Sequence, residues 1–441
     1  MRNPIIVTLL AGAFLSLNAN ATDLLQIYKD ALANDAQFGS ARAALTAGQE
    51  KVVQGRAGLL PSIGLSGSDM RTRTEVQRDA IGFDRSSTGY TNSWSLGLSQ
   101  PLFRWANWQQ YEQGKLAVMV SEAQFAQQQQ DLIVRVGQAY FDVLAAQDTL
   151  ATLQAQKTAI SEQLAQAKRN FEVGTSTITD THEAQARYDL VIAQEFAGQS
   201  DLEVKRAALR QIIGKDAGEL AMMRAGVKLE APQPQKIDEW VGSAEKQNYG
   251  VVGSQVAVEI AKREIERNRA GHYPTVDLVA STGRTSNAGA TNLNGTGVIK
   301  PTSIGVQWTI PLFSGFAVDS RVKEAIALED KARNDLENAR RTAAQGARQA
   351  YVGVNSGLAQ VKALEAAEIS SQSALDSNKL GYQVGVRINI DVLNAQQQLY
   401  TTRQNLAKAR YDTIMNGLRL KSASGVLKEQ DLAEVNGLLQ H

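Results

Sequence analysis

Histidine is where metal or acid–base chemistry would first be sought in this 441-residue chain, and none of its three histidines sits in a pattern that supports it. His182 is followed by Glu183, but no second histidine stands at the helical spacing that presents two imidazoles to one zinc ion. His272 and His441 are isolated. Gly214 and Lys215 are followed by Asp216 where a phosphate-cradling loop needs Ser or Thr, so they read as a helix stop. There is no cysteine, which excludes disulfides, thiolate ligands, a thiol nucleophile and the lipidated cysteine of a lipoprotein. Asn294-Gly295-Thr296 matches a glycosylation sequon, yet Asn-Gly is better explained as a tight turn. With no nucleophile beside a local base, the chain has no readable catalytic, cofactor or metal site.

The polar residues that do stand out are repeated ones. Asp180 returns as Asp391, Ala139-Tyr140 as Ala350-Tyr351, and Ala184-Gln185 as Ala395-Gln396, all at one offset of 211 residues. At the same offset Phe171-Glu172-Val173-Gly174 returns as Tyr382-Gln383-Val384-Gly385. Upstream the offset drifts slightly, so that Pro101-Leu102-Phe103 answers Pro311-Leu312-Phe313 and Pro61 answers Pro274. Such a duplication implies two copies of one structural unit. Asp180 and Asp391 fall where helices should start, and a carboxylate there caps free amides and favours the positive dipole end. Tyr382 repeats Phe171 in a packing position, and an arginine in a turn, such as Arg387, is ordinarily solvated.

Proline placement shows which elements carry these residues. The intervals 102–231 and 312–441 contain no proline, and an interior proline costs a helix about 3 kcal/mol or more. Tyr140, Val143, Leu150, Leu153, Leu164 and Phe171 step by three, seven or eleven residues, sums of the helical spacings three and four, and Tyr351, Val354, Val361, Leu364, Leu375 and Tyr382 match them. This is a coiled-coil-like seam. A helix from about Phe103 to Phe171 would be a rod of about 100 Å. Gly174 and Gly385 should end the rods, with return helices starting near Asp180 and Asp391.

Between helices each copy alternates as a strand does. Trp94, Leu96 and Leu98 interleave with Ser93, Ser95, Gly97 and Ser99; Ile304, Val306, Trp308 and Ile310 interleave with Ser303, Gly305, Gln307 and Thr309. Weaker alternation follows Pro61 and Pro274. The expected strands of roughly ten residues suit a tilted transmembrane β-strand, with polar, Gly-rich tips near 72–91 and 285–300. Four strands leave two open edges, and each unpaired backbone group in hydrocarbon costs several kcal/mol. A single chain cannot sit in a membrane this way, so chains must combine. Two would give eight strands and a bore filled by side chains, whereas three would give twelve and leave a passage.

The ends and composition agree. Arg2, the apolar run from Ile5 to Leu17 and Ala19-Asn20-Ala21 have the three zones of a cleavable secretory signal over residues 1–21. Without Arg2 the remainder holds 45 basic and 45 acidic residues, a poor basis for binding nucleic acid. Aromatics make up only 6% of a chain that is 43% hydrophobic, which fits thin helical layers better than a broad globular centre.

Taken together these residues resemble the TolC-type outer-membrane efflux proteins, the exit ducts of drug efflux pumps and type I secretion systems. The resemblance spans nearly the whole mature chain and rests on the duplicated plan, the strand starts LLPSIGLSGS and HYPTVDLVAS, and the strand ends SLGLSQPLF and SIGVQWTIPLF. It rests also on the turn YQVGVRINIDVLNAQQQLYTTRQNLAKARYD and the closing SGVLKEQDLAEVN. It implies a mainly α fold with a membrane β-barrel: a homotrimer whose twelve-stranded barrel in the outer membrane continues as a helical tunnel across the periplasm of a Gram-negative cell. Repeat one would span 22–213 with its hairpin at about 60–100, and repeat two 242–424 with its hairpin at about 273–311. A belt would draw on 214–241 and 425–441.

The implied partners are a periplasmic adaptor, an inner-membrane pump and outer-membrane lipid. The resemblance also implies a gate at the periplasmic tip. Tyr382 and Arg387 would bond toward Thr179 and Asp180, and Asp391 would line the constriction as a ring of three carboxylates. Asn394 departs from the aspartate that many relatives place there, so one acidic ring is expected instead of two. The alternative is a trimeric surface fibre or adhesin with a β-hairpin anchor, which would not require polar residues in equivalent inter-helix turns. An adaptor would carry one helical hairpin in a lipoyl-like domain, and an enzyme would need a site.

Overall fold

The computed structural model describes residues 21–76, 85–224, 226–289 and 296–440. All but the last residue of the expected signal segment, and parts of both hairpin tips, lie outside these. The first repeat runs α1 (Leu24–Asn34), α2 (Ala36–Ala57), β1 (Ser62–Val76), β2 (Arg85–Phe103), α3 (Trp105–Glu172) and α4 (Ile178–Ile213). The second runs α5 (Ile237–Gln247), α6 (Tyr249–Arg269), β3 (Thr275–Ala288), β4 (Gly297–Ile299), β5 (Thr302–Thr309), α7 (Ala317–Gln383) and α8 (Asn389–Ala423), and α9 (Glu429–Asn436) closes the chain. Each repeat is thus two shorter helices, a β-hairpin, a long helix and a return helix. The fold expected from the duplication, helical with a sheet formed from both copies, is the fold observed.

The long helices α3 and α7 have 68 and 67 residues, so each is a rod of about 100 Å. Helix α3 packs against α2 near its start and α4 near its end; α7 packs likewise against α6 and α8. The two copies join where α3 touches α6 and α8. Ion pairs staple each helical hairpin: Lys157 to Glu195 at 2.5 Å in the first, and Arg403 to Glu368 at 3.0 Å with Arg410 to Glu365 at 2.7 Å in the second. Five of the six expected seam positions of α3 are buried or partly buried, but Phe171, at the helix end, is exposed.

All strands form one antiparallel sheet, with β1 beside β2, β2 beside β3, and both β4 and β5 beside β3. Strands β4 and β5 occupy a single lane interrupted at Lys300 and Pro301, as expected of a residue that cannot donate to a ladder. The four expected strands are present as four lanes. Three of the lanes are longer than the ten residues anticipated, with 15 in β1, 19 in β2 and 14 in β3, and hydroxyls pair across the lanes on the small polar face. Ser66 meets Ser95 at 2.9 Å, Ser68 meets Ser93 at 2.8 Å and Ser281 meets Ser303 at 2.9 Å.

The largest core lies midway along the rods, where α1, α9 and the segment 214–224 wrap α3, α4 and α8. Tyr140, fully buried, donates to the Ala221 carbonyl at 2.7 Å; its repeat, Tyr351, donates to the Gln235 carbonyl. The duplicated tyrosines therefore each tie a long helix to the inter-repeat linker. The segments 214–241 and 425–441, which the resemblance assigns to a belt, hold regular structure. They contain α9 and the start of α5, and they hold α1 through Asn436, whose Oδ1 accepts from the Leu24 amide at 2.9 Å.

Asp35 joins α1 to α2, accepting from the Phe38 amide at 2.6 Å and from Arg135 at 3.0 Å. Burial favours its neutral form, but the Arg135 and Phe38 hydrogen bonds outweigh burial and hold its pKa below the usual 3.8. A depressed carboxylate stabilises the fold above its unfolded pKa, and that contribution is lost as pH falls through the lower native value. Acidification below about pH 3.8 should therefore destabilise the native protein more than Arg135→Ala, as read by thermal unfolding at pH 6 and pH 3.

Candidate functional site

The repeated residues around Phe171 to Gln185 and Tyr382 to Gln396 collect at the ends of the long helices remote from the sheet. There the two inter-helix turns are the same structure twice. In the first, the amides of Val173, Gly174 and Thr175 donate to the carbonyls of Arg169, Phe171 and Asn170; in the second, those of Val384, Gly385 and Val386 donate to Leu380, Tyr382 and Gly381. Gly174 and Gly385 take φ of 75° and 80°, the left-handed conformation that ends a helix without a Cβ clash.

Polar chemistry divides the two turns. In the first, Thr177 and Asp180 form a reciprocal cap: the Thr177 amide donates to Asp180 Oδ2 at 3.1 Å while Thr177 Oγ1 accepts from the Asp180 amide. In the second, Ile388 replaces the threonine and cannot cap. The Asp391 carboxylate instead faces Arg387 at 3.7 Å. Arg387 folds across Gly381, the position that Asn170 holds in the first turn.

Tyr382 packs beside Leu375, Val392 and Leu399, and its hydroxyl accepts from Asn170 Nδ2 at 3.2 Å. Asn394 is exposed and accepts from Arg187 Nη2 at 2.9 Å, and the same guanidinium also donates to Gln397. Thr179 is exposed. Within one chain, among the described residues, Tyr382 bonds the first copy at Asn170 and Arg387 closes onto Asp391, and neither bonds Thr179 or Asp180. All six expected residues do cluster at one end of the molecule. The sequence offered no signal for Asn170, Arg187 or Gln397, since none of the three is itself repeated at the 211-residue offset.

The opposite end is the sheet. Ile63, Leu98, Ala280 and Ile304 stand side by side across the four lanes, and the next row on that face includes Leu65 and Leu96. The reverse face presents Gly64, Gly97, Ser281 and Ser303, then Ser66, Ser95 and Gly283. One side is greasy and largely exposed, the other small and polar. Where β2 passes into α3, Arg104 grips Asp277 of β3 with two bonds of 2.8 and 2.6 Å, fixing the sheet to the rods. Among the described residues no helix is long and apolar enough to cross a membrane, and no group of three or more His, Asp or Glu is placed to hold a metal ion.

The family model "Outer membrane efflux protein" matches residues 27–215 and 240–426, one match per repeat. Outer membrane protein TolC of Escherichia coli is 35% identical over 99% of this chain and 88% of its own length. Alkaline protease secretion protein AprF of Pseudomonas aeruginosa is 34% identical over 97% of this chain and 90% of its own. Among solved structures, the Campylobacter jejuni CmeC outer membrane channel superposes with a TM-score of 0.79 at 17% identity, covering 100% of this chain and 98% of that one. The Vibrio cholerae outer membrane protein VceC gives a TM-score of 0.75 at 19% identity, covering 91% and 96%. The structural matches share the fold, and the family match and the relatives above one-third identity show the kinship: this chain belongs to the outer membrane efflux protein family.

Proposed function

We propose that three copies of this chain form one duct through the outer membrane of a Gram-negative cell, through which substrates of efflux or type I secretion leave. The observation that carries this reading is the sheet, greasy on one face and small and polar on the other, attached to helical rods of about 100 Å. Among the described residues β1 pairs only with β2, and β5 only with β3. Pairing β1 of one copy with β5 of the next removes both edges, and three copies give twelve lanes around a passage lined by Gly and Ser. In this arrangement the exposed face, with Ile63, Leu65, Ile304 and Trp308, meets lipid. Residues 1–21 act as the export signal.

The helical tips then stand in the periplasm. Val173, Val384 and Val386 are 73%, 65% and 76% exposed there, an apolar crown suited to a periplasmic adaptor that links the duct to an inner-membrane pump. Closure lies at the same tips. Tyr382 ties the second hairpin to the first through Asn170, Arg387 holds Asp391, and Asp391 contributes one carboxylate per chain to the constriction. The small polar face argues against the fibre, which needs no wetted interior.

Single-channel recording of the purified protein in a planar bilayer tests the proposal. A small, stable conductance is expected, and well-folded trimers that never conduct would return the molecule to the fibre reading. Asn394 supplies a finer check. Its amide is neutral and engaged by Arg187, so trivalent metal complexes should block the native channel weakly and Asn394→Asp more tightly. Equal block of the two would remove the single-ring account.

A further inference from the structure

We infer that Asn389 is a positioning residue, a charge-neutral bolt fastening the second helical hairpin to the first when the duct is closed; this rests on the tip being the gate. Asn389 begins α8 and is 0% exposed. Its Nδ2 donates to the Asp180 carbonyl of α4 at 3.1 Å, and its Oδ1 accepts from Gln163 Nε2 of α3 at 2.6 Å. Gln163 is itself buried. One amide therefore joins three helices from both copies.

The duplication shows how unusual this is. The position equivalent to Asn389 in the first copy is Ile178, which is 45% exposed. Burial by hydrophobicity alone would have chosen the reverse, because a polar group taken from water costs free energy unless it is hydrogen-bonded. The asparagine is tolerated because both functional groups of its amide find partners. Its neighbours Leu393 and Ile390 enter the apolar cluster of Ile160, Leu164, Ala167 and Ala184, which keeps water away and strengthens the bonds. By contrast, the Arg387–Asp391 contact is long and exposed, the kind that contributes little and is screened by salt.

If α8 swings away from α3 and α4, water can satisfy Gln163 and Asn389. In the closed state only the partner amide can. Truncating Asn389 leaves Gln163 buried and unpaired in the closed state alone, which shifts the balance toward open. Because the bolt has no net charge, salt does not loosen it.

The test is single-channel recording of SDS-resistant trimers with native helicity, comparing the native chain with Asn389→Ala, Asn389→Asp, Gln163→Leu and Ile178→Ala. Tyr382→Phe with Arg387→Ser serves as the reference for an opened gate. Asn389→Ala should raise the open-to-closed ratio by about tenfold, the effect of losing a satisfied buried hydrogen bond. Asn389→Asp and Gln163→Leu should act in the same direction, Ile178→Ala should match the native channel, and native closure should persist in molar KCl. Native behaviour of both Asn389 variants beside an opened reference would overturn the bolt and leave the gate standing. If the reference also fails to open, the gate reading falls, and the bolt with it. Opening by Ile178→Ala as large as by Asn389→Ala would reduce the effect to general loosening of the tip, and native widening in high salt would assign closure to ion pairs.

Discussion

Replacing Tyr382 by Phe together with Arg387 by Ser should raise the conductance of the channel several-fold. Tyr382→Phe removes the hydroxyl that Asn170 bonds but keeps the ring beside Leu375, Val392 and Leu399, so packing at the helix end survives. Arg387→Ser removes the cation facing Asp391, and in the proposed trimer three uncompensated carboxylates would remain around the constriction and repel. An exposed ion pair or polar contact contributes about 0–1 kcal/mol, so in the proposed trimer three symmetric sets would add at most a few kcal/mol to closure, beside the buried Asn389 bonds. A docked adaptor with coupling of similar size can supply that, which is what a gate opened on demand requires. The measurement is the unitary current of native and double-variant trimers in one bilayer system. A pore of unchanged size would keep the duct and place its closure elsewhere.

The second large effect is on stability. Gly425→Val should prevent assembly of heat-stable trimers. Gly425 follows α8 with φ of 76°, and an added Cβ would lie 2.2 Å from the Gln247 carbonyl oxygen and 2.5 Å from its carbon. The obstacle is backbone and cannot rotate aside. Ala423 and Ser424 on one side and Asn248 and Ser243 on the other are already bonded across this junction, at 3.0 and 3.3 Å. A left-handed conformation costs a non-glycine residue about 1–2 kcal/mol, and the collision adds to it, for an expected loss of about 3 kcal/mol or more per chain. Gly385 provides the control. Its φ is 80° but nothing lies within 4 Å of its added Cβ, so Gly385→Ala should cost only about 1–2 kcal/mol. Thermal melting of the two trimers compares them, and equal losses would show that the contact with Gln247 is unimportant.

The repeat made much of the tip legible in advance. Phe171 to Gly174 and Tyr382 to Gly385 fall on structurally identical turns because a left-handed glycine and its flanking carbonyl bonds are local features. Asp180 was readable as a helix cap for the same reason, since Thr177 lies three residues away. Asp391 was not distinguishable from it by repeat position. Its different role follows from Ile388, which cannot cap, and from an arginine brought back over a glycine.

By itself, the sequence determined the elements, their order and their duplication, since periodicity, proline spacing and glycine stops act within a few residues along the chain. It also determined the two-faced sheet, because strand alternation is a period of two whichever strands pair. Only the tertiary structure decided which equivalent positions differ. Ile178 and Asn389 occupy one place in the repeat, yet α8 is pressed against α3 and α4 while the start of α4 faces outward. Arg187 meets Asn394 and Gln397 on the same principle. These contacts join residues more than 200 positions apart; their geometry depends on how two nearly identical hairpins lean together, and no local pattern encodes that lean.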